Sequence, residues 1–376
     1  MERGPGTLED MAMNATRLDP QRLPDPAFWR GRRVFVTGHT GFKGAWLALW
    51  LESLGAEVTG FSLAPPSEVN LFTLASVARG ITHLHGDVRE LTALKSALAG
   101  AQPEIVLHLA AQSLVRRSYR EPVETYATNV MGTVNLLEAI RHEAGVRAVV
   151  IVTSDKCYEN REWMWGYREG DAMGGHDPYS NSKGCAELVT SAMRRSYFSK
   201  GDTCIASARA GNVIGGGDFA EDRLLPDAMR AFSNRRALEV RSPDAIRPWQ
   251  HVLEPLRGYL LLAEALATHG QPFAEGWNFG PEDADCRSVR EVVDLATGHW
   301  PGAQVVYNPP ADAPHEAHFL KLDCTKAHEL LAWQPRWRLA DGVQRTVEWF
   351  RASADGQDMR VLTLAQLAAY QAPAEA

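Results

Sequence analysis

Short apolar runs alternate with longer amphipathic segments between Arg32 and Arg209. Strands of about four to eight residues that are separated by helical patterns predict βαβ units and a parallel sheet. The candidate strands are RVFVT (33–37), EVTGFS (57–62), ITHLHG (81–86), IVLHLA (105–110), RAVVIVT (147–153) and TCIASAR (203–209), and the candidate helices are 41–54, 90–99, 122–143 and 178–196. The pattern therefore predicts a doubly wound α/β sheet, which binds its ligands at the carboxyl ends of its strands.

A glycine-rich turn joins the first strand to the first helix. Gly38, Gly41 and Gly44 form a G-x-x-G-x-x-G pattern in GHTGFKG (38–44). Such a turn lets the backbone approach a pyrophosphate, whose charge sits at the helix N-terminus. The strand before it and the helix after it favour dinucleotide binding over a plain tight turn. Lys43 lies inside this loop, where it either meets a phosphate or is solvated.

The choice of dinucleotide is less well determined by the sequence. A ribose-binding acid normally ends the second strand, about 20 residues past the loop. Here that strand ends in GFSL (60–63), which has no carboxylate. NAD is favoured, and NADP stays open. Asp87, just past the third strand, is placed either to bind the adenine or to cap the next helix.

The same patterns divide the chain into four parts. Residues 28–212 are predicted to form a dinucleotide-binding Rossmann domain. After Asn212 the regular alternation of strands and helices ends. Residues 213–350 are predicted to form mainly a smaller mixed α/β substrate-binding lobe, with some segments returning to the Rossmann domain. Residues 1–27 contain acids and prolines but no apolar core, which predicts a loose tail and not a signal peptide. Residues 351–376 are left as a C-terminal extension.

Tyr179 and Lys183 lie one helical turn apart in PYSNSK (178–183). A tyrosine with its free pKa of about 10 is a poor base near neutral pH. A neighbouring ammonium and a nicotinamide cation both stabilise tyrosinate, so we expect them to lower this pKa. The lysine is also able to hold the cofactor ribose. An ordinary exposed helix pair is the alternative, but the dinucleotide loop upstream favours catalysis.

Several motifs together resemble the extended short-chain dehydrogenase/reductase superfamily. They are the glycine loop, HLAA (108–111), Asn129 in TNVMGT (128–133) and Y-x-x-x-K. The resemblance covers about residues 29–350. Within the superfamily the chain is most similar to the nucleotide-sugar 4,6-dehydratases, and among these to the branch that acts on CDP-glucose. Long runs carry it: TGHTGFKGAWLALWL (37–51), HLAAQSLVRRSY (108–119), VTSDKCYENREW (152–163), GGHDPYSNSKGCAEL (174–188), RAGNVIGGGD (209–218) and IRPWQHVLEPL (246–256).

The resemblance implies an internal redox cycle on NAD. Tyr179 would deprotonate the sugar 4-hydroxyl as hydride leaves C4, water would be lost across C5 and C6, and hydride would return to C6. Ser154 would bind the 4-oxygen and Asp155 would protonate the departing C6 oxygen. Lys156 stands where dTDP-glucose relatives have a glutamate base, and it acts as a base only as a neutral amine. A strand-end ion pair without chemistry is the alternative for Asp155 and Lys156.

The resemblance also implies ligand contacts. Arg247 would clamp the substrate pyrophosphate, and Asn212 and Asn278 would contact its phosphates and sugar. The alternatives are loop hydrogen bonds for the asparagines and a surface charge for the arginine. The implied cofactor-binding residues are Gly38, Thr40, Gly41, Phe42, Lys43, Gly44, Asp87, Ala110, Ala111, Asn129, Tyr179 and Lys183.

The resemblance also implies an oligomeric state and a biological use for the product. A homodimer or homotetramer would form through the helices at 122–143 and 178–196. The product would feed deoxysugars for surface polysaccharide such as lipopolysaccharide O-antigen. The preference for a cytosine nucleotide has no other support in the sequence.

Composition excludes several other classes. There are 39 lysines and arginines against 46 acidic residues, and the net charge of −7 disfavours a nucleic-acid partner. No stretch approaches the roughly 18 apolar residues of a membrane-spanning helix. The five cysteines are odd in number and far apart, which argues against disulfides and a zinc site and favours a reducing cytoplasm. No metal is expected.

Two other functions remain open. A nucleotide-sugar 4-epimerase on the same scaffold needs the tyrosine, the lysine and a serine, but no Asp-Lys pair at 155–156. A non-catalytic dinucleotide-sensing regulator would be expected to lack the tyrosine or the lysine, so this alternative ranks last.

Overall fold

Seven parallel strands form the central sheet, in the order β3-β2-β1-β4-β5-β6-β11. The structure is a computed structural model that describes residues 19, 21–308 and 319–373. The strand order reverses between β1 and β4, the switch point at which doubly wound sheets bind ligands. The sheet strands are β1 (Arg33–Thr37), β2 (Glu57–Ser62), β3 (Thr82–His85), β4 (Ile105–His108), β5 (Ala148–Val152), β6 (Cys204–Ala210) and β11 (Gly276–Phe279).

Fourteen α-helices lie in the described ranges, with shorter 3-10 and π turns between them. They are α1 (Pro26–Trp29), α2 (Phe42–Ser53), α3 (Leu71–Leu74), α4 (Leu91–Ala101), α5 (Val115–Arg120), α6 (Pro122–Tyr126), α7 (Gly132–Ile140), α8 (Pro178–Met193), α9 (Leu224–Ser233), α10 (Leu253–His269), α11 (Val289–Gly298), α12 (Thr325–Leu331), α13 (Leu339–Ala354) and α14 (Met359–Gln371). None of these helices combines the length and the apolar character that crossing a bilayer takes.

Alternate residues of the strands face two separate cores, as the period of a strand requires. Val34 and Val36 of β1 point to a core that contains α2 and α10. Phe35, between them, points to the other core, which contains α4 and α7. Helices therefore cover both faces of a parallel sheet, which confirms the doubly wound Rossmann fold expected from the sequence.

The six predicted strands agree with the structure to within two residues at either end. The seventh, β11, belongs to WNFGP and returns from the second half of the chain to pair with β6. Two predicted helices are interrupted or extended by π turns, at Ala127–Met131 and Arg194–Phe198. Hydrophobic periodicity does not reveal a π turn, because a π turn adds only one residue to a helical turn and requires no particular residue type.

The second half of the chain otherwise forms small paired strands and helices. The pairs are β7 (Val213–Ile214) with β10 (Gln250–His251), β9 (Ile246–Pro248) with β12 (Cys286–Ser288), and β8 (Leu238–Val240) with β13 (Val305–Tyr307). Only the β9–β12 pair is antiparallel. These short elements agree with the mixed α/β character expected after Asn212.

Both ends of the described chain are attached to the sheet-covering helices. The predicted loose tail falls mostly on residues 1–18 and 20, outside the described residues. At its end, the Arg22 guanidinium lies 2.7 Å from the Glu264 carboxylate of α10, and the Asp25 amide donates to the same carboxylate. At the other end, Tyr370 of α14 donates to Glu254 of α10 at 2.7 Å. The end of the tail is therefore anchored, as is the C-terminal segment.

Candidate active site

The glycine loop follows β1 and lies against the segment that follows β4. Gly38 has φ +77°, and a Cβ there would lie 2.6 Å from the Ala110 nitrogen. A Cβ at Gly44 would overlap the Gly38 carbonyl oxygen. Thr40 donates to the Leu63 carbonyl oxygen at 2.9 Å and lies 2.7 Å from the Ser62 hydroxyl. The loop is therefore held closed between the ends of β1, β2 and β4.

The N-terminus of α2 opens on this loop without a side-chain cap. Gly41 is the N-cap residue, followed by Phe42 and Lys43, and the first turn contains no acidic residue. The first N–H groups of a helix have no intrahelical partner, and together with the helix dipole they favour an anion. A dinucleotide pyrophosphate fits this arrangement.

Replacing Gly38 by alanine is expected to lower the free energy of unfolding by about 1–3 kcal/mol, since the left-handed backbone and the Ala110 contact both oppose a Cβ. NAD binding should weaken as well. Urea unfolding and NAD titration calorimetry would measure both effects. The control is Gly100→Ala on α4, where a Cβ meets nothing within 4 Å. This variant should raise the free energy of unfolding by about 0.5–1 kcal/mol. Equal behaviour of the two variants would contradict the prediction.

Three other residues predicted to bind the cofactor follow the neighbouring strands β3 and β4. Ala110 and Ala111 follow β4, and the Ala110 amide donates to Thr37 at 3.2 Å. Asp87 follows β3, where the Arg89 guanidinium holds it at 2.5 Å and the Arg89 amide donates to it at 2.9 Å. These bonds lower the pKa of Asp87. Asp87 does not cap the next helix, because the N-cap residue of α4 is Glu90, which has no side-chain cap hydrogen bond. Contact of Asp87 with the adenine stays a prediction.

Asn129 lies in the π turn between α6 and α7 and is almost fully buried. Its amide nitrogen donates to the Gln112 carbonyl oxygen and to the Ser182 hydroxyl, both at 2.9 Å, and its oxygen accepts from the Gln112 amide at 2.8 Å. Every polar atom of this side chain is therefore used within the protein. Asn129 therefore fastens the segment after β4 to α8, and its contact with the cofactor stays a prediction.

Ser154, Asp155 and Lys156 come together directly after β5. Oδ1 of Asp155 accepts from the Ser154 hydroxyl at 3.0 Å and from Lys156 Nζ at 3.2 Å. Lys156 Nζ also donates to Asn212 Oδ1, at 3.2 Å, from the segment after β6. Asp155 is fully buried, whereas the Lys156 side chain is 28% exposed. A buried carboxyl group beside a partly exposed amine is suited to paired acid and base work.

Tyr179 and Lys183 face this group from the first turns of α8. Burial raises the pKa of Tyr179 to about 12, and a hydrogen bond with Ser154 opposes this rise. Lys183 donates to the Val152 carbonyl oxygen at 3.2 Å. The expectation that the neighbouring ammonium lowers the pKa of Tyr179 is therefore corrected, because burial dominates and Lys183 is turned towards β5. The second expected cause, the nicotinamide cation, belongs to the bound cofactor.

A buried ion pair fixes α8 against the sheet behind these residues. Glu187 accepts from Arg209 at 2.7 Å and from Ser207 at 2.6 Å, both on β6, and Thr153 also donates to it. Burial lowers the pKa of Lys183 to about 8, while Glu187, one turn along α8, opposes this change. The orientation of Tyr179 and Lys183 thus depends on contacts made by the strands beneath them.

Comparison with known proteins agrees with this geometry. The sequence model for GDP-mannose 4,6 dehydratase matches residues 35–346. The chain belongs to this family. CDP-glucose 4,6-dehydratase of Salmonella typhimurium is 51% identical over 351 residues, covering 92% of this chain and 98% of that one. dTDP-glucose 4,6-dehydratase of Streptomyces antibioticus is 28% identical over 333 residues, covering 85% and 92%. These matches confirm the resemblance to the nucleotide-sugar dehydratases.

Solved structures show the same fold. The dTDP-glucose 4,6-dehydratase DesIV of Streptomyces venezuelae, with NAD and TYD bound, has a TM-score of 0.73 at 25% identity and covers 87% of this chain and 99% of its own. A UDP-glucose-4-epimerase from Stenotrophomonas maltophila has a TM-score of 0.76 at 21% identity, covering 86% and 99%. The epimerase shares the fold alone.

The residues expected to bind substrate in this dehydratase family are not all brought together. Asn212 reaches the site through its bond to Lys156. Arg247 lies half-buried on β9. The next residue, Pro248, packs against Gly211, which also lies next to Asp155. Asn278, by contrast, is fully buried on β11. Its oxygen accepts from Tyr158, and its nitrogen donates to the carbonyl oxygens of two other residues, at 2.7–3.0 Å. The geometry favours an internal hydrogen bond for Asn278, so we leave it out of the substrate site.

Two residues at the site were missed in the sequence. Arg223 donates to Asp218 at 2.8 Å and to Ser113 at 3.0 Å, and its charge lowers the pKa of Tyr179. Arg223 lies in GGGDFAEDRLLPD (215–227). Its place between a glycine-rich turn and a helix could have identified it as a candidate site residue. Tyr259 lies on α10, fully buried, within electrostatic range of Tyr179. A tyrosine in the apolar run YLLLAEALA requires a partner for its hydroxyl, which was the available signal.

Proposed function

We propose that this enzyme is a CDP-glucose 4,6-dehydratase, which converts CDP-D-glucose to CDP-4-keto-6-deoxy-D-glucose and water. The observation that carries the proposal is the Asp155–Lys156 pair, hydrogen-bonded at 3.2 Å at the end of β5 and facing Tyr179. The relative from Salmonella typhimurium, 51% identical over nearly its whole length, supports CDP-glucose as the substrate.

The proposed chemistry is divided between two groups of side chains. Tyr179 takes the proton of the sugar 4-hydroxyl, and Ser154 orients the 4-oxygen. NAD bound at the glycine loop would supply the hydride acceptor for C4 and the hydride donor for C6. Once C4 is a ketone, the C5 proton is acidic enough for Lys156 to remove, while Asp155 gives a proton to the departing C6 oxygen. Lys183 would hold the cofactor ribose.

The cofactor is proposed to be NAD, held by the Gly38–Gly44 loop with Ala110 and Ala111 on its rim. The structural observation behind this assignment is the uncapped N-terminus of α2. An NADP 2′-phosphate is usually met by an arginine near the end of the second strand. The segment LAPPSEV (63–69) after β2 contains no arginine or lysine, so NAD fits better. Solved relatives with NAD bound support the same choice.

The second candidate is a nucleotide-sugar 4-epimerase, because the scaffold, Tyr179, Lys183 and Ser154 would serve either reaction. Asp155 and Lys156 argue against it, since an epimerase has no need of an acid and a base at C5 and C6. A dinucleotide-sensing regulator ranks last because both the tyrosine and the lysine face the site.

The test is incubation of the purified protein with CDP-D-glucose and NAD, followed by mass spectrometry of the sugar nucleotide. Loss of one water without net reduction of NAD is the expected result. An unchanged mass would direct the search to a 4-epimer by NMR and to dTDP-, UDP- and GDP-sugars. If all of these stayed intact while NAD bound, the catalytic proposal would fail.

We also propose that the enzyme works as a homodimer, or a homotetramer built from such dimers. An apolar surface joins α6, the π turn after it and α8, and it includes Val123, Met131 and Leu188, which are 81%, 51% and 59% exposed. A small apolar hollow between these elements is lined by Pro122, Val123, Tyr126, Ala127, Val130, Met131 and Cys185. A second copy related by a twofold axis would cover this surface with the same surface.

Introducing charge on this surface should separate the subunits. The double variant Val123→Glu and Met131→Glu is expected to elute as a monomer, because two unpaired carboxylates would be buried in an apolar contact. Light scattering after gel filtration would measure the mass. Val361→Glu on α14, 65% exposed in the wild type, is the matched control and should leave the mass unchanged. A dimeric double variant would refute this interface.

The setting of the reaction is proposed to be the cytoplasm, where reduced thiols such as Cys185 and Cys286 would persist. The product would enter deoxysugar synthesis for lipopolysaccharide O-antigen. Both proposals rest on composition and on resemblance.

A further inference from the structure

A carboxylate held between two arginines lies beside the candidate active site. Oδ1 of Asp222 lies 3.5 Å from Nη1 of Arg116 and accepts from Nη2 of Arg241 at 3.4 Å. Arg116 belongs to α5, in the segment that follows β4, whereas Arg241 directly follows β8. These three charges therefore connect the first half of the chain with the second half.

The residue next to Asp222 joins this cluster to the edge of the sheet that carries the site. Arg223 donates to Ser113, which lies between β4 and α5, at 3.0 Å. Because β4 and β5 are parallel neighbours, the segments that follow them lie at the same edge, and Asp155 follows β5. The Asp222 side chain is 32% exposed, whereas that of Asp155 is fully buried. Asp222 therefore lies on the outer side of the site.

A short loop connects the cluster to the predicted pyrophosphate contact. Arg241 and Arg247 are the two ends of the segment RSPDAIR (241–247). A step of six residues spans at most about 22 Å. In a sugar nucleotide the pyrophosphate lies between the sugar and the nucleoside. If the sugar is at Tyr179 and the pyrophosphate at Arg247, the base is left to the outer residues, Arg241 and Asp222 among them.

The two oxygens of the Asp222 carboxylate differ in their contacts. Both arginines contact Oδ1, and Oδ2 has no hydrogen-bond partner among residues 19, 21–308 and 319–373. A carboxylate oxygen is an acceptor only, and each guanidinium has five N–H donors. The cluster therefore presents an acceptor beside unused donors. Cytosine offers the matching edge, because its N4 amino group is a donor and its N3 and O2 atoms are acceptors.

We infer that Asp222 selects the cytosine base of the substrate, with Oδ2 accepting from the N4 amino group while Arg241 donates to N3 and O2. This inference rests on the proposed function. Uracil and thymine carry a carbonyl oxygen at position 4 and an N–H group at position 3. The oxygen would face the carboxylate and the N–H group would face the guanidinium, so neither would form a hydrogen bond. Arg116 is a positioning residue, since it holds Oδ1.

The backbone of Asp222 makes asparagine the informative replacement. Its φ is +57°, in the left-handed region that aspartate and asparagine adopt more readily than other residues with a side chain. Asp222→Asn should therefore fold. Because both arginines attract oxygen, the amide oxygen should take the Oδ1 position and the amide nitrogen the Oδ2 position. This variant presents a donor that suits O4 of uracil and opposes N4 of cytosine.

The test measures the dissociation constants of CDP and UDP by calorimetry with NAD present. Mass spectrometry gives kcat and KM for CDP-glucose and UDP-glucose. The matched control is Glu104→Gln, because Glu104 also contacts two arginines, Arg32 at 2.7 Å and Arg33 at 3.8 Å, but lies before β4 at the opposite edge of the sheet. Arg241→Met is the second variant. A wild type that prefers CDP to UDP but does not dehydrate CDP-glucose would refute the proposed function and not the base contact.

The wild type is expected to bind CDP at least about 10-fold more tightly than UDP. In Asp222→Asn this preference should fall by about 10- to 100-fold. KM for CDP-glucose should rise while kcat stays within about threefold, because Asp222 contacts the base and not the reacting atoms. Arg241→Met should also lower the preference, and Glu104→Gln should leave it unchanged.

Three results would overturn the inference. The first is a preference for CDP in Asp222→Asn that stays within about twofold of the wild type, as an ordinary surface ion pair would give. The second is an equal loss of affinity for both nucleotides. The third is a wild type that does not distinguish CDP from UDP. If Asp222→Asn does not fold, the preference measured for Arg241→Met decides.

Discussion

Replacing Tyr179 by phenylalanine is expected to lower the turnover of CDP-glucose by about 10³-fold, the effect of removing a proton acceptor from a positioned site. The phenylalanine ring fills the same space at the start of α8, so the fold should be retained. Because Lys183 holds its place through Val152, NAD binding should change little. Dehydration and C4 oxidation should be lost together, since the ketone at C4 is needed before the C5 proton is acidic.

The measurement is turnover at saturating NAD, followed by mass spectrometry, with NAD affinity determined separately by calorimetry. Tyr197→Phe is the matched control, because this tyrosine is 57% exposed and lies on the π turn after α8. A Tyr179→Phe rate within about tenfold of the wild type would show that another group, such as Ser154, takes the proton. A large loss of NAD affinity would show that the hydroxyl serves binding.

The sheet was predictable chiefly because β1, β4 and β5 centre on continuous apolar runs bounded by polar or charged residues. In a parallel sheet buried on both faces, this pattern leaves little ambiguity. The π turn at Ala127–Met131 was not predictable, because its sequence, ATNVM, is compatible with an ordinary α-helical turn. Nor was the anchoring of Arg22, whose partner Glu264 lies 242 residues away in the chain.

The site was predictable where its residues follow strands directly. Ser154, Asp155 and Lys156 end β5, and parallel strands place their carboxyl ends at one edge. Asn278 also lies on a sheet strand, but its surroundings are set by residues far along the chain, among them Tyr158, 120 residues before it. The Lys43 ammonium likewise lies 6.0 Å from the ring centroid of Tyr259, on α10. Local sequence determines the path of the backbone, whereas the orientation of these side chains is determined by tertiary contacts.

In the proposed mechanism, Ser154 lies between the residues that serve the two chemical steps. It hydrogen-bonds Asp155 at 3.0 Å, and its bond with Tyr179 lowers the pKa of that tyrosine. In the proposed mechanism, oxidation at C4 and elimination at C5 and C6 would therefore use neighbouring groups that share one hydroxyl. A substitution that stops the second step while sparing the first would separate them.

Lys156→Ala is that substitution. We expect it to lower the dehydration rate by about 10²- to 10⁴-fold, the usual contribution of a general base, while C4 oxidation continues on Tyr179. The variant also removes one of the two donors to Oδ1 of the buried Asp155. Lys156→Met, which preserves more of the packing, is therefore made in parallel. Asn212→Ala is the control for loss of the Lys156–Asn212 bond alone.

Trapping with borodeuteride distinguishes the two steps. Wild-type product should carry deuterium at C4 and no hydroxyl at C6. Product from the Lys156 variants should carry deuterium at C4 with the C6 hydroxyl intact, because the sugar stops as the 4-ketone. Full dehydration by both variants would remove the base assignment from Lys156. Absence of the ketone as well would place Lys156 in the oxidation step, where Tyr179 and Ser154 alone are otherwise sufficient.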